Sequence, residues 1–365
     1  MIMKEDIVIV ANSPGELSAM VKPVVDELSK SDKRLILVLT PCQYNSGREL
    51  EFVKTMTNLS AIVTADQYKR WAFMNKPPEG ITFSKKGLVI YLGGDLAHAM
   101  IVARKLHYPA FAYVQDRVGW KKAYQKFFVP DQQTYDRFHK QLPKKKLAIV
   151  GNLMVDSIAK LKKWSPEEKV VTFMPGSRTW EINYMTPFYR EVIKMLKAED
   201  PTLKFQLVSS PFIKATPIEG VKTISFDDIN NSELVITIPG TNTAKIAARG
   251  IPMLVVFPLN NPEVIPLDGL ADLLCRTPIA GPALKRWLAK TINKKTKFFA
   301  LPNQKANTEV APEIRGVIEP LVVARRALGL LHDKAARTKM SVDLIKAMGE
   351  PGGAKKLAEA LNAAI

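Results

Sequence analysis

The sequence predicts an α/β chain built as two Rossmann-like domains, each around a parallel sheet. Three observations predict it. The 365 residues are too many for one domain at about 150 residues each. Short β-branched runs alternate with segments of helical period along the whole chain, the pattern of parallel strands joined by right-handed crossovers. A glycine turn also follows a core strand in each half, at Gly15 and at Gly176.

The first half opens with Ile7–Ala11, a run apolar enough for a strand buried on both faces. Asn12–Glu16 supplies a turn and helix-start signals, and 17–29 has helical period, with Pro23 tolerable in an early turn. Strands follow at 35–39, 61–63, 88–92, 110–114 and 148–150, with a helix over 97–106. A helix over 155–163 leads to the linker-like Ser165-Pro166-Glu167-Glu168. The second series has strands at 170–174, 205–208, 234–238 and 253–257 and helices at 187–198 and from Thr243 to Arg249. Two helices close the chain, 333–348 and 354–364. The expected division is 1–164, 165–332, and a 333–365 segment packing back on the first domain, with a cleft between the two sheets.

Composition narrows the function classes. Apolar residues at 47% and charged residues at 24% are ordinary for a soluble globular chain. No apolar window reaches 18 residues without charge, which excludes a multi-span membrane protein. The N-terminal Lys4-Glu5-Asp6 precedes a short apolar run and reads as the approach to a strand, not as a signal peptide. Cys42 and Cys275 lie far apart and fit a reducing compartment. His98, His107, His139 and His332 form no zinc-binding pair, so no metal is expected. The net charge of +18 favours a polyanionic partner: nucleic acid, an anionic membrane surface or a phosphorylated substrate. A merely Lys-rich surface would give the same number. Nucleic acid is disfavoured, since no helix-turn-helix, zinc-knuckle or RNP-type pattern is present.

Four turns carry candidate chemistry. Gly15-Glu16-Leu17-Ser18 sits where a helix N-terminus offers amides to an oxygen-rich ligand; the alternative is a strand–helix turn capped by Ser13. Asp95 follows Gly93-Gly94 at a strand end, where a carboxylate serves as general base or as helix N-cap. His98 is an orienting or basic group on that helix, or an ordinary polar residue near its start. Pro175-Gly176-Ser177-Arg178 offers amides, a hydroxyl and a guanidinium to a diphosphate. Pro239-Gly240-Thr241-Asn242-Thr243 adds a close-approach glycine and two more hydroxyls. Two such turns in one half suggest a nucleotide diphosphate there. Finally, 270–300 is basic and amphipathic: Arg276, Lys285, Arg286, Lys290, Lys294, Lys295 and Lys297 stand against Asp272, interleaved with Trp287 and other apolar residues. That composition suits an anionic membrane surface or a solvated helix with a core-facing side.

In order along the chain, these motifs resemble those of lipid-A-disaccharide synthase, an inverting glycosyltransferase family of GT-B fold. Gly15-Glu16-Leu17-Ser18 matches the start of its G-E-x-S-G-D, and Gly93-Gly94-Asp95 its strand-end G-x-D. Gly151-Asn152-Leu153-Met154-Val155-Asp156 is similar to G-[HN]-x-x-x-D, and Pro175 to Glu181 to P-G-S-R-x-x-E. Gly240-Thr241-Asn242-Thr243-Ala244-Lys245 resembles the G-T-A-x-x-E end of S-G-T-A-x-x-E, and Leu301-Pro302-Asn303 its late L-P-N, with Glu309 and Pro312-Glu313 downstream. The departures are Ala19-Met20 for Gly-Asp, Leu96-Ala97-His98 after Asp95, and Lys245 where the family's ribose-holding glutamate is expected.

The resemblance implies a hexosyltransferase with a UDP-sugar donor, UDP-2,3-diacylglucosamine being the family-like choice, and a lipid-linked sugar phosphate as acceptor. It implies no cofactor. It implies Asp95 as base, Gly15, Glu16 and Ser18 in the acceptor loop, and Ser177, Arg178, Gly240, Thr241, Asn242, Thr243, Lys245 and Asn303 around the donor. It places Lys285, Arg286, Trp287 and Lys290 toward the membrane of a peripheral protein at the inner face of the inner membrane. The departures leave open a divergent branch with another acceptor, a UDP-sugar 2-epimerase-like enzyme, and a membrane-surface binding protein without turnover.

Overall fold

A computed structural model describes residues 4–41, 47–162, 164–209, 217–264 and 280–365. Cys42, Cys275 and the 270–279 part of the basic stretch, with Asp272 and Arg276, lie outside the described residues. The chain divides into two compact units, Met1–Lys160 with Gly349–Ile365, and Leu161–Met348.

The first unit runs β1 (Asp6–Ala11), α1 (Pro14–Glu16), α2 (Lys22–Leu28), β2 (Arg34–Leu39), α3 (Glu49–Lys54), β3 (Ala61–Val63), α4 (Ala65–Met74), β4 (Gly87–Tyr91), α5 (Leu96–Leu106), β5 (Ala110–Tyr113), β6 (Tyr124–Val129), α6 (Gln132–His139), β7 (Leu147–Ile149) and α7 (Leu153–Asp156). Its seven strands pair in the order β3-β2-β1-β4-β5-β6-β7, all parallel. The apolar run of β1 is central and wholly buried, as a strand covered on both faces requires. β6 carries an exposed Gln125 and a half-buried Lys126 inside Tyr-Gln-Lys-Phe-Phe-Val, which breaks the apolar run that marks the other strands.

Between α1 and α2, Leu17–Val21 forms a π turn, closed by the Lys22 amide on the Leu17 carbonyl. The helix therefore begins at Pro14, and Pro23 stands well inside it rather than in an early turn. A proline there has no N–H for the carbonyl four residues back and its ring crowds that carbonyl. The wider turn gives the ring room.

The second unit runs β8 (Val170–Met174), α8 (Thr179–Glu199), β9 (Lys204–Val208), β10 (Lys222–Ile224), β11 (Leu234–Thr237), α9 (Thr241–Ala248), β12 (Met253–Pro258), α10 (Ala280–Lys295), α11 (Leu301–Ala306), β13 (Glu313–Gly316), α12 (Pro320–His332) and α13 (Lys334–Met348). Its six strands are parallel in the order β10-β9-β8-β11-β12-β13. α8 starts at Thr179, eight residues before the expected Pro187, which it holds in its interior. An interior proline costs about 3 kcal/mol; a Glu181 capping interaction and a long buried face that includes Tyr189, Val192 and Leu196 offset it.

The last segment, expected to act as one piece, divides. α13 stays with the second unit: Arg337 pairs with Glu233, and Ser341 and Ile345 close on Gly250, whose φ of +67° and lack of a Cβ make room for them. Only α14 (Gly353–Asn362) returns to the first unit. There the Asp156 carboxylate accepts the Gly352 amide at 2.5 Å and the Ala354 amide at 2.9 Å. Gly353 approaches the Gly151 backbone so closely that a Cβ would collide with it. The Gly151–Asp156 motif thus anchors the C-terminal helix.

Candidate functional site

In each sheet the direction of strand addition reverses once, between β1 and β4 and between β8 and β11. Crevices outside the carboxyl ends of strands at such reversals are where α/β sheets bind ligands. The four glycine turns singled out from the sequence end these four strands: 12–16 after β1, 93–95 after β4, 175–178 after β8 and 239–241 after β11.

In the first unit Glu16 ties two turns together. Its carboxylate accepts the Ser13 amide and the Gly94 amide, each at 3.2 Å, and lies so close to Gly93 that a Cβ there would displace it. Ser13 caps the helix reciprocally. Burial pushes the Glu16 carboxyl above its ordinary value. Gly15 gives its carbonyl to the Ser18 hydroxyl at 3.3 Å. Glu16 and this bond shape the loop from inside. Asp95 is exposed; one oxygen caps α5 by accepting the Ala97 amide at 2.8 Å. The N-cap reading therefore holds, and it leaves the carboxylate at the surface. Around it, Tyr91 donates to the Gly94 carbonyl at 2.8 Å, Tyr124 to the Leu96 carbonyl at 2.6 Å, and Tyr68 meets His98.

In the second unit Glu181 does for the β8 turn what Glu16 does for the β1 turn. Its Oε2 accepts the Ser177 and Arg178 amides at 2.8 and 3.1 Å, and its Oε1 meets Arg178 Nη1 at 3.2 Å. Burial raises the Glu181 carboxyl. Those two amides, expected on a diphosphate, are thus already engaged by a carboxylate. What the turn presents is the half-buried Ser177 and the Arg178 guanidinium, 36% exposed. Opposite, Gly240 is exposed with φ +134°, has open space over its Cα, and starts α9 without a side-chain cap. Thr241 and Asn242 are half-buried in that first turn, where amides and the helix dipole favour an anion.

Three expected donor residues have other tasks. Thr243 is buried; its hydroxyl donates to the Gly240 carbonyl at 2.8 Å and accepts the Leu301 amide at 3.2 Å. Asn303 is fully buried. Its Nδ2 donates to the Ala311 carbonyl and Glu313, and its Oδ1 accepts the Val310 and Ala311 amides. An asparagine has no further hydrogen-bonding capacity. Glu313 also accepts the Phe299 and Ala300 amides, so the Leu-Pro-Asn and Glu313 motifs form one knot beside α9. Lys245 lays its ammonium 5.5 Å from the centre of the Phe226 ring, and burial lowers its pKa to about 8. The neighbouring Arg249 guanidinium lies 5.9 Å from the same ring.

In α10, Lys285 donates to the Glu263 carbonyl at 3.1 Å and Arg286 pairs with the Glu263 carboxylate. Lys290 is exposed, as are Trp287 at 60% and Ile292 at 47%. Among the described residues no helix is long and apolar enough to cross a membrane, and no three His, Cys, Asp or Glu side chains gather as a metal site. Sequence reasoning missed Tyr68 and the inward turn of Glu181. The second was signalled by a glutamate three residues after a helix N-cap, the capping-box spacing.

No family model matches the chain. The lipid-A-disaccharide synthase of Nitrosococcus oceani is 25% identical over 189 residues, 48% of this chain and 43% of that protein. That of Glaesserella parasuis is 27% identical over 201 residues, 51% and 47% of the two. Over about half its length the chain is similar in sequence to lipid-A-disaccharide synthases. It spans about half the length of the curated relatives it matches. Among solved structures, the UDP-GlcNAc 2-epimerase of Neisseria meningitidis, bound to UDP-GlcNAc, has a TM-score of 0.59 at 13% identity, covering 98% of this chain and 100% of its own. The calicheamicin glycosyltransferase has 0.57 at 16% identity, covering 100% and 98%. At these identities the likeness shows the fold, the GT-B architecture of two Rossmann-like units.

Proposed function

We propose that the chain is a hexosyltransferase that moves a sugar from a UDP-sugar to a lipid-linked sugar phosphate, as in lipid A disaccharide formation. The observation that supports it best is the pairing of motif-bearing turns at the reversal point of each sheet, in a chain whose curated relatives are lipid-A-disaccharide synthases. UDP-2,3-diacylglucosamine is the donor the kinship suggests. In this reading Ser177, Arg178, Gly240, Thr241 and Asn242 hold the diphosphate. Gly15, Ser18 and Asp95 border the acceptor.

The step is a single displacement. The free oxygen of Asp95 takes the proton of the acceptor hydroxyl, and the acceptor's own oxygen forms a bond to the anomeric carbon. The bond from that carbon to the diphosphate breaks, and UDP leaves with the electron pair and with inversion. Arg178 and the start of α9 neutralise the charge that develops on the diphosphate. On the exposed face of α10, Arg286, Trp287 and Lys290, with Lys285 beside them, suit a peripheral position on an anionic cytoplasmic leaflet.

The test is transfer of radiolabel from UDP-2,3-diacylglucosamine to an acylated sugar phosphate, with products separated by chromatography. A labelled disaccharide supports the reading. An epimerised or hydrolysed sugar, or tight UDP binding with no turnover, overturns it. Asp95→Asn is expected to retain UDP binding and lower transfer by roughly 10²–10⁴-fold.

A further inference from the structure

His98 has a task that the transfer step above leaves unassigned. It stands in the first turn of α5, three residues after Asp95, so the two share one face of the helix start. Its ring is half-buried. Nδ1 lies 2.7 Å from the Tyr68 hydroxyl, with the two rings edge-to-face at 5.2 Å and 88°. Tyr68, on α4, is 0% exposed.

The hydrogen bond has a direction. Among the described residues, Nδ1 is the sole partner of the Tyr68 hydroxyl. If Nδ1 donated, the tyrosine proton would be buried without an acceptor, at about 1–3 kcal/mol. Tyr68 therefore donates and Nδ1 accepts. A neutral imidazole carries one proton, which then sits on Nε2. Burial holds the ring below its ordinary pKa, opposed by the Asp95 charge, so the neutral form prevails near pH 7. Tyr68, pushed up to about 12 by burial, keeps its own proton. Nε2 has no protein partner among the described residues.

We propose that the Tyr68–His98 pair locks an imidazole whose Nε2–H donates to an oxygen of the acceptor sugar phosphate, beside the Asp95 carboxylate. The pair's role is to orient and select. The carboxylate accepts from one sugar hydroxyl, and the N–H one turn away donates to a neighbouring oxygen. The imidazole is not the base. The substrate part of this proposal rests on the glycosyltransferase reading; the tautomer does not.

The full chain labelled with ¹⁵N-histidine tests it by long-range ¹H–¹⁵N spectra at pH 7. Four histidines give few signals, and His98→Gln assigns the one needed. The expected result is a pyridine-like Nδ1 and a pyrrole-like Nε2, with Tyr68→Phe shifting both toward the averaged values of free histidine. Glucosamine 1-phosphate is the probe: it should move the Nε2 signal, bind about tenfold more weakly to His98→Leu, and recover in His98→Gln, whose amide can donate from a similar place. A protonated ring, the Nδ1–H tautomer, or an Nε2 signal unmoved at saturating probe overturns the proposal. If the tautomer and the probe response hold while no labelled sugar is transferred, the pair stands as a sugar-phosphate site and the glycosyltransferase reading is what fails.

Discussion

Replacing Asn303 by alanine separates two roles for the Leu-Pro-Asn motif. In a donor-contact role the side chain touches nucleotide, and its loss weakens UDP binding while the fold is untouched. In the structure it makes four internal bonds: 2.7 Å to the Ala311 carbonyl, 2.9 Å to Glu313, and 2.8 Å from each of the Val310 and Ala311 amides. Each is worth about 0.5–1.5 kcal/mol net, and the abandoned partners are buried. Water entering the vacated space recovers part, so the expected loss is about 3–5 kcal/mol rather than the full sum. In a unit of this size each kcal/mol lowers Tm by about 2–4 °C, so the second unit should melt roughly 10 °C lower. Asn303→Asp should be no milder: it keeps both acceptors, loses both donors, and sets a carboxylate against Glu313. Calorimetric UDP titration well below the new Tm should give an unchanged Kd. A Tm within about 2 °C of the parent, with UDP binding weakened tenfold, would refute the structural role.

Arg178→Ala should weaken UDP binding by about 1.5–3 kcal/mol, the range for hydrogen bonds to charged groups; an unchanged Kd by calorimetry removes Arg178 from the site. Lys245 titrates near 8 when folded against an ordinary 10.5, so between those values the unfolded chain binds more protons and stability rises with pH. Thermal melts of the parent should gain stability from pH 8 to pH 10 relative to Lys245→Met, and parallel pH profiles would contradict a desolvated amine. At low salt the protein should sediment with anionic liposomes and not with zwitterionic ones. Lys285→Glu, Arg286→Glu and Lys290→Glu together should release it with little change in Tm, because the Arg286–Glu263 pair is exposed and worth at most about 1 kcal/mol. Equal binding to both vesicle types leaves α10 as a solvated helix.

The strands that could be read from the sequence were those with long apolar runs, such as β1, β4 and β11, because burial on both faces leaves few polar positions, here Asp6 and Thr237 at strand ends. β6 escaped because Gln125 and Lys126 interrupt it, and β13 because Glu-Ile-Arg-Gly gives no run at all. Pro187 read as a helix start because a proline at the first position and one in the interior look alike locally; only the distant packing of α8 distinguishes them. The positions of the four turns were legible, since a strand end followed by glycine has few alternatives. The partners of the polar side chains were not. Asn303 and Thr243 look like ligand-contacting residues in the motif, and only tertiary contacts with 299–313 and Leu301 show their hydrogen bonds already filled.

The two glutamates in the motifs carry the same lesson further. Glu16 and Glu181 each stand three residues after a helix N-cap, each accept two backbone amides, and each are raised by burial. A diphosphate would compete for the very amides that Glu181 holds at 2.8 and 3.1 Å, and a second anion beside a buried carboxylate is repelled. In the proposed reading the diphosphate would lie toward Arg178 and the uncapped start of α9, not on the amides of the β8 turn. Each glutamate fixes its turn before any ligand arrives, and in doing so leaves the side chains around it, rather than the turn's own backbone, to make the contacts. Preorganisation of this kind reduces the ordering that binding must later supply.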